Sequence, residues 1–227
     1  MNTPAFQFWP KMRRVERAAW NTVVKCAQAG KLPSIPLPIP VEQWVEGPLA
    51  ITFGIGDLTP YGDNVLGVCR PKVREIMVSE TLVSQEARFR FTVAHELGHL
   101  ILHSKLSGEF REGGGADAAD QRIESEADRF AAAFLMPLAC FAMEYASAVV
   151  AVGHDPTKLL ANVGTGDPVA RAAFEQSVVP TLARRFWVSK TAAVRRFSDV
   201  LLPNGMPAIP VGVARSLASS AVPKSSQ

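Results

Sequence analysis

One short segment constrains this chain more than any other: His95-Glu96-Leu97-Gly98-His99. On an α-helix, two histidines four residues apart project from one face about one turn apart, so both imidazoles can bind one metal ion. The glutamate after the first histidine would lie beside that ion, where its carboxylate can act as a base. The pattern predicts a zinc centre with a base next to it.

The flanking residues predict that this segment is helical. Ser84 can cap a helix that continues through the motif, and no proline interrupts the chain before residue 104. At about 100° per residue, apolar residues and histidines fall on different faces, one facing a core and the other a cleft. The apolar positions are Phe89, Val93, Leu97, Leu100 and Ile101, and the histidine stripe is His95, His99 and His103. Accidental spacing is the alternative, but the chain has only four histidines.

A catalytic zinc ion needs a third protein ligand, which leaves one position for water. A second helical pattern, residues 123–137, supplies acidic candidates and ends at a proline. Glu124 lies beside the apolar stripe of this helix, whereas Glu126 points away, so Glu124 is the expected ligand. Asp128, one turn further on, is expected to accept a hydrogen bond from a ligand imidazole and fix its tautomer. An ordinary half-exposed acid is the alternative interpretation of Asp128.

Two blocks of sequence, residues 88–103 and 124–137, together resemble the ImmA/IrrE family of zinc endopeptidases. The resemblance extends over residues 31–145 and, more weakly, over residues 178–202. It implies a minimal gluzincin-type fold in which three side chains hold zinc and one acts as catalytic base: His95, His99 and Glu124 as ligands, and Glu96 as base. It also implies a substrate, a helix-turn-helix repressor of a phage, mobile element or stress regulon that cleavage inactivates.

The expected chemistry follows from these roles. Zn²⁺ lowers the pKa of a bound water towards about 7, and Glu96 accepts the proton and later delivers it to the leaving amine. Mn²⁺ could replace Zn²⁺. His103 is two turns from His95, about 12 Å along the axis, so it is expected beside the ligands or at the helix end rather than among them.

The predicted fold class is α+β, a minimal zincin-like metallopeptidase domain with a C-terminal helix-turn-helix-like segment. The expected organisation is an N-terminal helix (1–30), the metallopeptidase domain (31–150), a helical subdomain (151–202) and a flexible tail (203–227). Three β-like runs, residues 49–55, 64–69 and 72–79, predict a small sheet with a substrate-pairing edge strand, for which 64–69 is favoured. The glycine-containing stretch 104–121 is expected to be a loop, either a gate or a plain spacer.

Residues 182–197 have helix-turn-helix spacing, with Val188 in the turn and Ser189 capping the second helix. Trp187 occupies a turn position where glycine is usual, which is costly at positive φ. The basic residues of the segment are Arg184, Arg185, Lys190, Arg195 and Arg196. A subdomain that supports the peptidase or docks its substrate is favoured over a DNA reader.

Composition limits the remaining possibilities. A length of 227 residues with 48% hydrophobic content suits one domain with an appendage or two small domains, and a net charge of +3 is too small to indicate nucleic-acid binding. Cys26, Cys69 and Cys140 form no Cys-x-x-Cys pair and are expected to be free thiols in a reducing compartment. The N-terminus has no apolar signal core and no stretch would span a bilayer. A cytoplasmic protein without a membrane partner is expected.

The sequence favours a zinc-dependent endopeptidase that acts on a protein substrate. The alternative is a DNA-binding or toxin-antitoxin-type regulator with a structural zinc site. Glu96 discriminates between the two, because a structural site closed by four protein ligands does not need a carboxylate beside an open position.

Overall fold

The computed structural model describes residues 14–105, 109–112, 118–200 and 206–220. The chain divides into two compact units, one comprising Arg13–Pro137 and one that includes Leu138–Gln227. The described part of the first unit combines helices with a small sheet, and that of the second unit is helical. The predicted α+β class with a helical C-terminal segment is therefore confirmed.

The described residues of the first unit form four α-helices: α1 (Arg14–Ala29), α2 (Val41–Glu46), α3 (Glu86–Leu102) and α4 (Ala118–Leu135). The metal motif lies on α3, which packs closely on α4, because a Cβ on Gly98 would lie 3.1 Å from the Cα of Ala127. Gln85 precedes α3 and no side chain caps the helix, so the prediction that Ser84 is the cap is wrong. The helix is instead held by its buried apolar residues.

A mixed four-stranded sheet in the order β1-β3-β2-β4 completes this unit. Its strands are β1 (Thr52–Gly56), β2 (Gly67–Arg70), β3 (Glu75–Ser79) and β4 (Phe110–Glu112). Strands β1 and β3 are parallel, and β2 is antiparallel to both β3 and β4. Each predicted β-like run overlaps one of the first three strands, whereas β4 lies within the predicted loop 104–121.

The sheet order corrects the predicted substrate-binding edge. Strand β2, within the favoured run 64–69, lies between β3 and β4, so its backbone is already paired and the prediction is wrong. Its first three residues are buried because both of its faces are covered. Among the described strands, the edges are β1 and β4.

The second unit contains six described helices around an aromatic core. They are α5 (Leu138–Ala151), α6 (Pro156–Thr165), α7 (Pro168–Ala173), α8 (Val179–Phe186), α9 (Lys190–Asp199) and α10 (Val211–Ser220), with a π-helical turn at Phe174–Val178. The ring of Phe197 lies 4.8 to 5.4 Å from those of Phe141, Tyr145 and Phe174. Helix α6 is capped by Asp155, whose carboxylate accepts the N–H of Thr157.

Helices α8 and α9 are joined by a tight turn. Val188 is buried in it, and the Ser189 hydroxyl accepts the N–H of Ala192 at 3.0 Å. Trp187 adopts the left-handed region with φ 55°, so the tryptophan takes the conformation that usually favours glycine. Arg196, one of the basic residues of this segment, is fully buried and so does not contribute to a basic surface. Arg185 pairs with Glu144 at 2.8 Å.

Residues 211–220, which belong to the predicted tail, form helix α10. This helix packs on α9, with Ala214 and Leu217 buried. Small Gly, Ala and Ser residues separate its few apolar side chains, so its periodicity is weak in the sequence. Other parts of the predicted tail, residues 203–205 and 221–227, lie outside the described residues, as do residues 201–202 before it.

Within the described residues, no single helix has both the length and the apolarity needed to cross a membrane. One bent pair of helical segments passes this test when the two are counted together: Gln121–Leu135 and Leu138–Ala151. The test considers only length and composition. The cytoplasmic location stays a prediction.

Candidate metal centre

Three side chains from two helices of the first unit converge: His95 and His99 on α3 and Glu124 on α4. Their ligand-type atoms all lie within 4.8 Å of one another. The two Nε2 atoms are 3.0 Å apart, and the carboxylate oxygens of Glu124 lie 3.1 Å from His95 Nε2 and 3.3 Å from His99 Nε2. Both histidines are buried and the Glu124 side chain is 31% exposed, so solvent reaches the group at Glu124.

The other ring nitrogen of His95 faces Asp128. The Oδ1 atom of Asp128 lies 3.0 Å from His95 Nδ1. A carboxylate can only accept, so Nδ1 carries a proton and Nε2 is the nitrogen that can offer a lone pair to a metal. Asp128 thus occupies the position that the sequence analysis expected, although its side chain is 56% exposed.

The other ring nitrogen of His99 faces His103. The two Nδ1 atoms are 3.2 Å apart, and His103 Nε2 lies 3.4 Å from Oε2 of Glu126. Glu126 therefore faces a buried histidine instead of pointing away, and it also pairs with the exposed Arg122 at 3.4 Å. His103 touches His99 and is not one of the three converging side chains.

The electrostatics of the group attract a positive charge. Burial lowers the pKa of His95, but hydrogen bonds with Asp128 and Glu124 raise it more, to well above its usual range. Burial raises the pKa of Glu124, but its contacts with His95 and His99 lower it to about 2. Both directions favour a positive charge in the space between the rings and the carboxylate. Imidazole nitrogen and carboxylate oxygen are the donors that bind Zn²⁺, so the residues present fit a divalent metal.

Glu96 lies directly after His95 and is fully buried. Neither of its carboxylate oxygens has a hydrogen-bond partner in the described part of the chain. Leaving a buried polar group unpaired costs about 1–3 kcal/mol, and more for a charge, so such groups are uncommon outside functional sites. Burial raises the pKa of the Glu96 carboxyl well above its usual range, the direction that suits a group that takes up and returns a proton.

Gly67 on β2 provides the space for the Glu96 carboxyl. A Cβ at this position would lie 2.3 Å from Oε1 of Glu96 and 2.9 Å from its Cγ and Cδ. The sequence analysis did not identify Gly67. A glycine inside a strand is the signal that could have suggested a close approach here.

Strand β4 lies against the histidines. The ring of Phe110 stacks on His99 with centroids 4.6 Å apart and an angle of 10°, and it lies 5.9 Å from His103. This aromatic contact was not predicted from the sequence, in which the stretch 104–121 was expected to be a loop. Residues 106–108 and 113–117, which belong to the predicted gate or spacer, lie outside the described residues.

Residues 61–154 match the family model described as the IrrE N-terminal-like domain, Peptidase M78, a range that contains all of the converging side chains. Among solved structures, a Mycobacterium tuberculosis transcriptional regulator aligns with 17% identity and a TM-score of 0.48. The alignment covers 84% of this chain and 48% of that protein, so the chain spans about half its length. No curated protein matches.

Proposed function

We propose that this chain, whose residues 61–154 form a domain of the ImmA/IrrE family, is a zinc-dependent endopeptidase of the gluzincin type. The family match suggests a metallopeptidase, and the observation that carries the finer proposal is the site itself. Two imidazoles and a carboxylate converge beside Glu96, a buried acid without a hydrogen-bond partner in the described residues. An open metal position next to a free base is the arrangement that metal-assisted hydrolysis requires.

In this proposal, His95, His99 and Glu124 hold the metal, and Asp128 and His103 orient the two rings. Bound Zn²⁺, or Mn²⁺ in its place, would supply Lewis-acid chemistry, polarising the scissile carbonyl and acidifying water. Glu96 takes the proton of the attacking water at its carboxylate and gives it to the leaving amine. The buried position of Glu96 keeps bulk water from competing for that proton.

The proposed substrate is a protein, specifically a helix-turn-helix repressor, as the family resemblance implies. Strand β4 supports an extended peptide as the bound form, because β4 is an edge strand among the described strands and its Phe110 stacks on His99. A peptide segment that pairs with such an edge through its backbone would run past the metal site. Cleavage of a co-encoded repressor by the purified chain, followed by gel and intact mass, tests this proposal.

A regulator with a structural zinc site, whether DNA-binding or part of a toxin-antitoxin pair, is the competing function. A structural zinc site is closed by four protein ligands. Within the described ranges, the cluster contains three His, Cys, Asp or Glu side chains, and Glu96 beside it has no partner. These two observations favour the enzyme.

Gly67→Ala is expected to impair hydrolysis without removing the metal. The added Cβ would collide with the Glu96 carboxyl at 2.3 Å, and the base would have to leave its position, whereas Glu96 is not one of the three converging side chains. Because general-base catalysis contributes about 10²–10⁴-fold, a misplaced base should slow cleavage at least about 10-fold. Repressor cleavage rates and zinc content per chain measure the two effects.

Gly56→Ala is the matched control for this prediction, because its Cβ would meet Met77 Cε at 3.6 Å, an ordinary contact. This variant should cleave at the wild-type rate. A Gly67→Ala protein with wild-type activity would contradict the assignment of Glu96 as base at its observed position.

For the helical unit, we expect that Lys190→Ala combined with Arg195→Ala slows cleavage of a folded repressor but not of a short unstructured peptide. Both side chains are exposed on α9, where they could steer a partner electrostatically. The expected loss in kcat/KM is up to about 10-fold at low salt and smaller at high salt. Time-course cleavage assays with both substrates at two ionic strengths measure this loss in kcat/KM.

Arg185→Ala is the control for the double variant, because Arg185 is already paired with Glu144. Arg196 is left unchanged because it is fully buried. DNA binding by the wild type, with a steep salt dependence that the double variant loses, would instead identify this surface as a DNA reader.

A further inference from the structure

We infer that Glu126 is a positioning residue for the metal site: through His103, it selects the tautomer in which His99 presents the Nε2 lone pair to the metal. This inference rests on the proposed metal site, but the hydrogen-bond chain behind it consists of side chains of this protein alone. The chain runs from Glu126 Oε2 to His103 Nε2 at 3.4 Å, and from His103 Nδ1 to His99 Nδ1 at 3.2 Å.

The direction of each hydrogen bond follows from what the groups can do. The Glu126 carboxylate can only accept, so His103 Nε2 must donate to it. In a neutral imidazole one nitrogen donates and the other accepts, so His103 Nδ1 is left as an acceptor. The facing Nδ1 of His99 must then donate, and its Nε2 carries the lone pair. The carboxylate thus determines which nitrogen of His99 is free, although it does not touch His99.

His103 fits the neutral form that this chain of hydrogen bonds needs. Its side chain is 5% exposed, and it lies against the ring of His99, which in turn contacts His95. A charged His103 would place a positive charge next to a site that must bind a metal cation. It would also turn both of its nitrogens into donors, and His99 Nδ1 would become the acceptor.

The surroundings of His99 hold its ring in place, with Nε2 facing His95 and Glu124. Phe110 is stacked almost parallel on the ring at 4.6 Å, and His99 is fully buried. With the ring plane fixed, a proton on Nε2 would point at the metal position and would have to be lost or moved before a metal could bind. Glu126 and Asp128 would therefore act alike, with Asp128 acting directly on His95 and Glu126 acting on His99 through one more ring.

The test uses the full-length chain and two readouts. In the metal-free protein, imidazole ¹⁵N chemical shifts report the tautomer of His99, which should be the Nδ1–H form in the wild type. Glu126→Ala and His103→Phe should both shift His99 towards a mixture of tautomers. Zn²⁺ affinity, measured by competition with a chelator, should fall by about 10- to 100-fold in both variants.

Two further variants separate positioning from general stability. Glu126→Gln keeps an acceptor oxygen and should recover part of the Zn²⁺ affinity. Arg122→Ala removes only the exposed ion pair with Glu126 and should keep both the His99 tautomer and the affinity. A purely structural role would instead lower the thermal unfolding midpoint of the metal-free variants without changing the tautomer.

Wild-type tautomer and wild-type Zn²⁺ affinity in Glu126→Ala would overturn the inference. If the wild type bound no Zn²⁺, the proposed function would fail. In that case the His99 tautomer in the metal-free variants would still decide whether Glu126 controls it.

Discussion

Glu96→Gln is expected to abolish hydrolysis while the metal stays bound. Glutamine keeps the shape of the side chain but cannot accept a proton from water at its carboxyl group. Glu96 is not one of the three converging side chains, so the metal site should remain complete. Removing a general base costs about 10²–10⁴-fold in rate, and more when the same group also protonates the leaving amine. Cleavage of a co-encoded repressor with excess Zn²⁺ or Mn²⁺, together with metal content per chain, measures both parts.

The inactive variant should still bind its substrate, so a stable complex between Glu96→Gln and the intact repressor is expected in size-exclusion chromatography. Glu86→Gln is the control, because Glu86 is an exposed acid on the first turn of the same helix. A Glu96→Gln protein that cleaves as fast as the wild type would refute the peptidase mechanism. The remaining function would then be that of a metal-containing binding protein.

The geometry of the candidate site was predictable because it depends on local helix periodicity. His95 and His99 share a face of α3 simply because they are four residues apart. The choice of Glu124 over Glu126 also came from a helix face, and the structure brings Glu124 to the two histidines. Asp128 follows from the same face one turn later. Once a segment is recognised as helical, its sequence therefore predicts which of its side chains share a face.

The contacts between distant segments were not predictable in the same way. Gly67 matters only because β2 passes directly over Glu96, and Phe110 only because β4 lies against His99. A three-residue strand such as β4 has too few positions to show a period of two, so it could not be told from a loop. Glu126 was expected to point away from the site, but it contacts His103. The position of Glu126 on its own helix does not reveal which residue of another helix lies opposite it.

In the helical unit, the sequence identified the turn but not the burial of its charges. The turn between α8 and α9 was predicted from Val188 and Ser189, and both occupy the expected positions. A tryptophan was expected to be costly in that turn, and it does adopt φ 55°, so the fold bears a backbone penalty of about 1–2 kcal/mol there. The full burial of Arg196 could not be read from the sequence, because arginine is rarely buried.

Removing any one of the three converging side chains is expected to cause the largest loss of metal affinity. His95→Ala, His99→Ala and Glu124→Ala each leave two ligands where Zn²⁺ needs three protein ligands for an open site. Loss of a group that only orients a ligand costs about 10- to 100-fold in affinity, so loss of a ligand should exceed about 100-fold. Asp128→Ala, which removes the hydrogen bond to His95 Nδ1, should fall in the smaller range.

Metal analysis after dialysis and competition with a chelator would rank these variants, with Glu80→Ala, an exposed acid outside α3 and α4, as the control. The ranking matters more than any single value. Three large losses, one smaller loss at Asp128 and none at Glu80 would identify the ligands and distinguish them from the group that orients them. If Glu124→Ala kept wild-type affinity, the third ligand would have to be another side chain, and Glu124 would be only a neighbour of the two histidines.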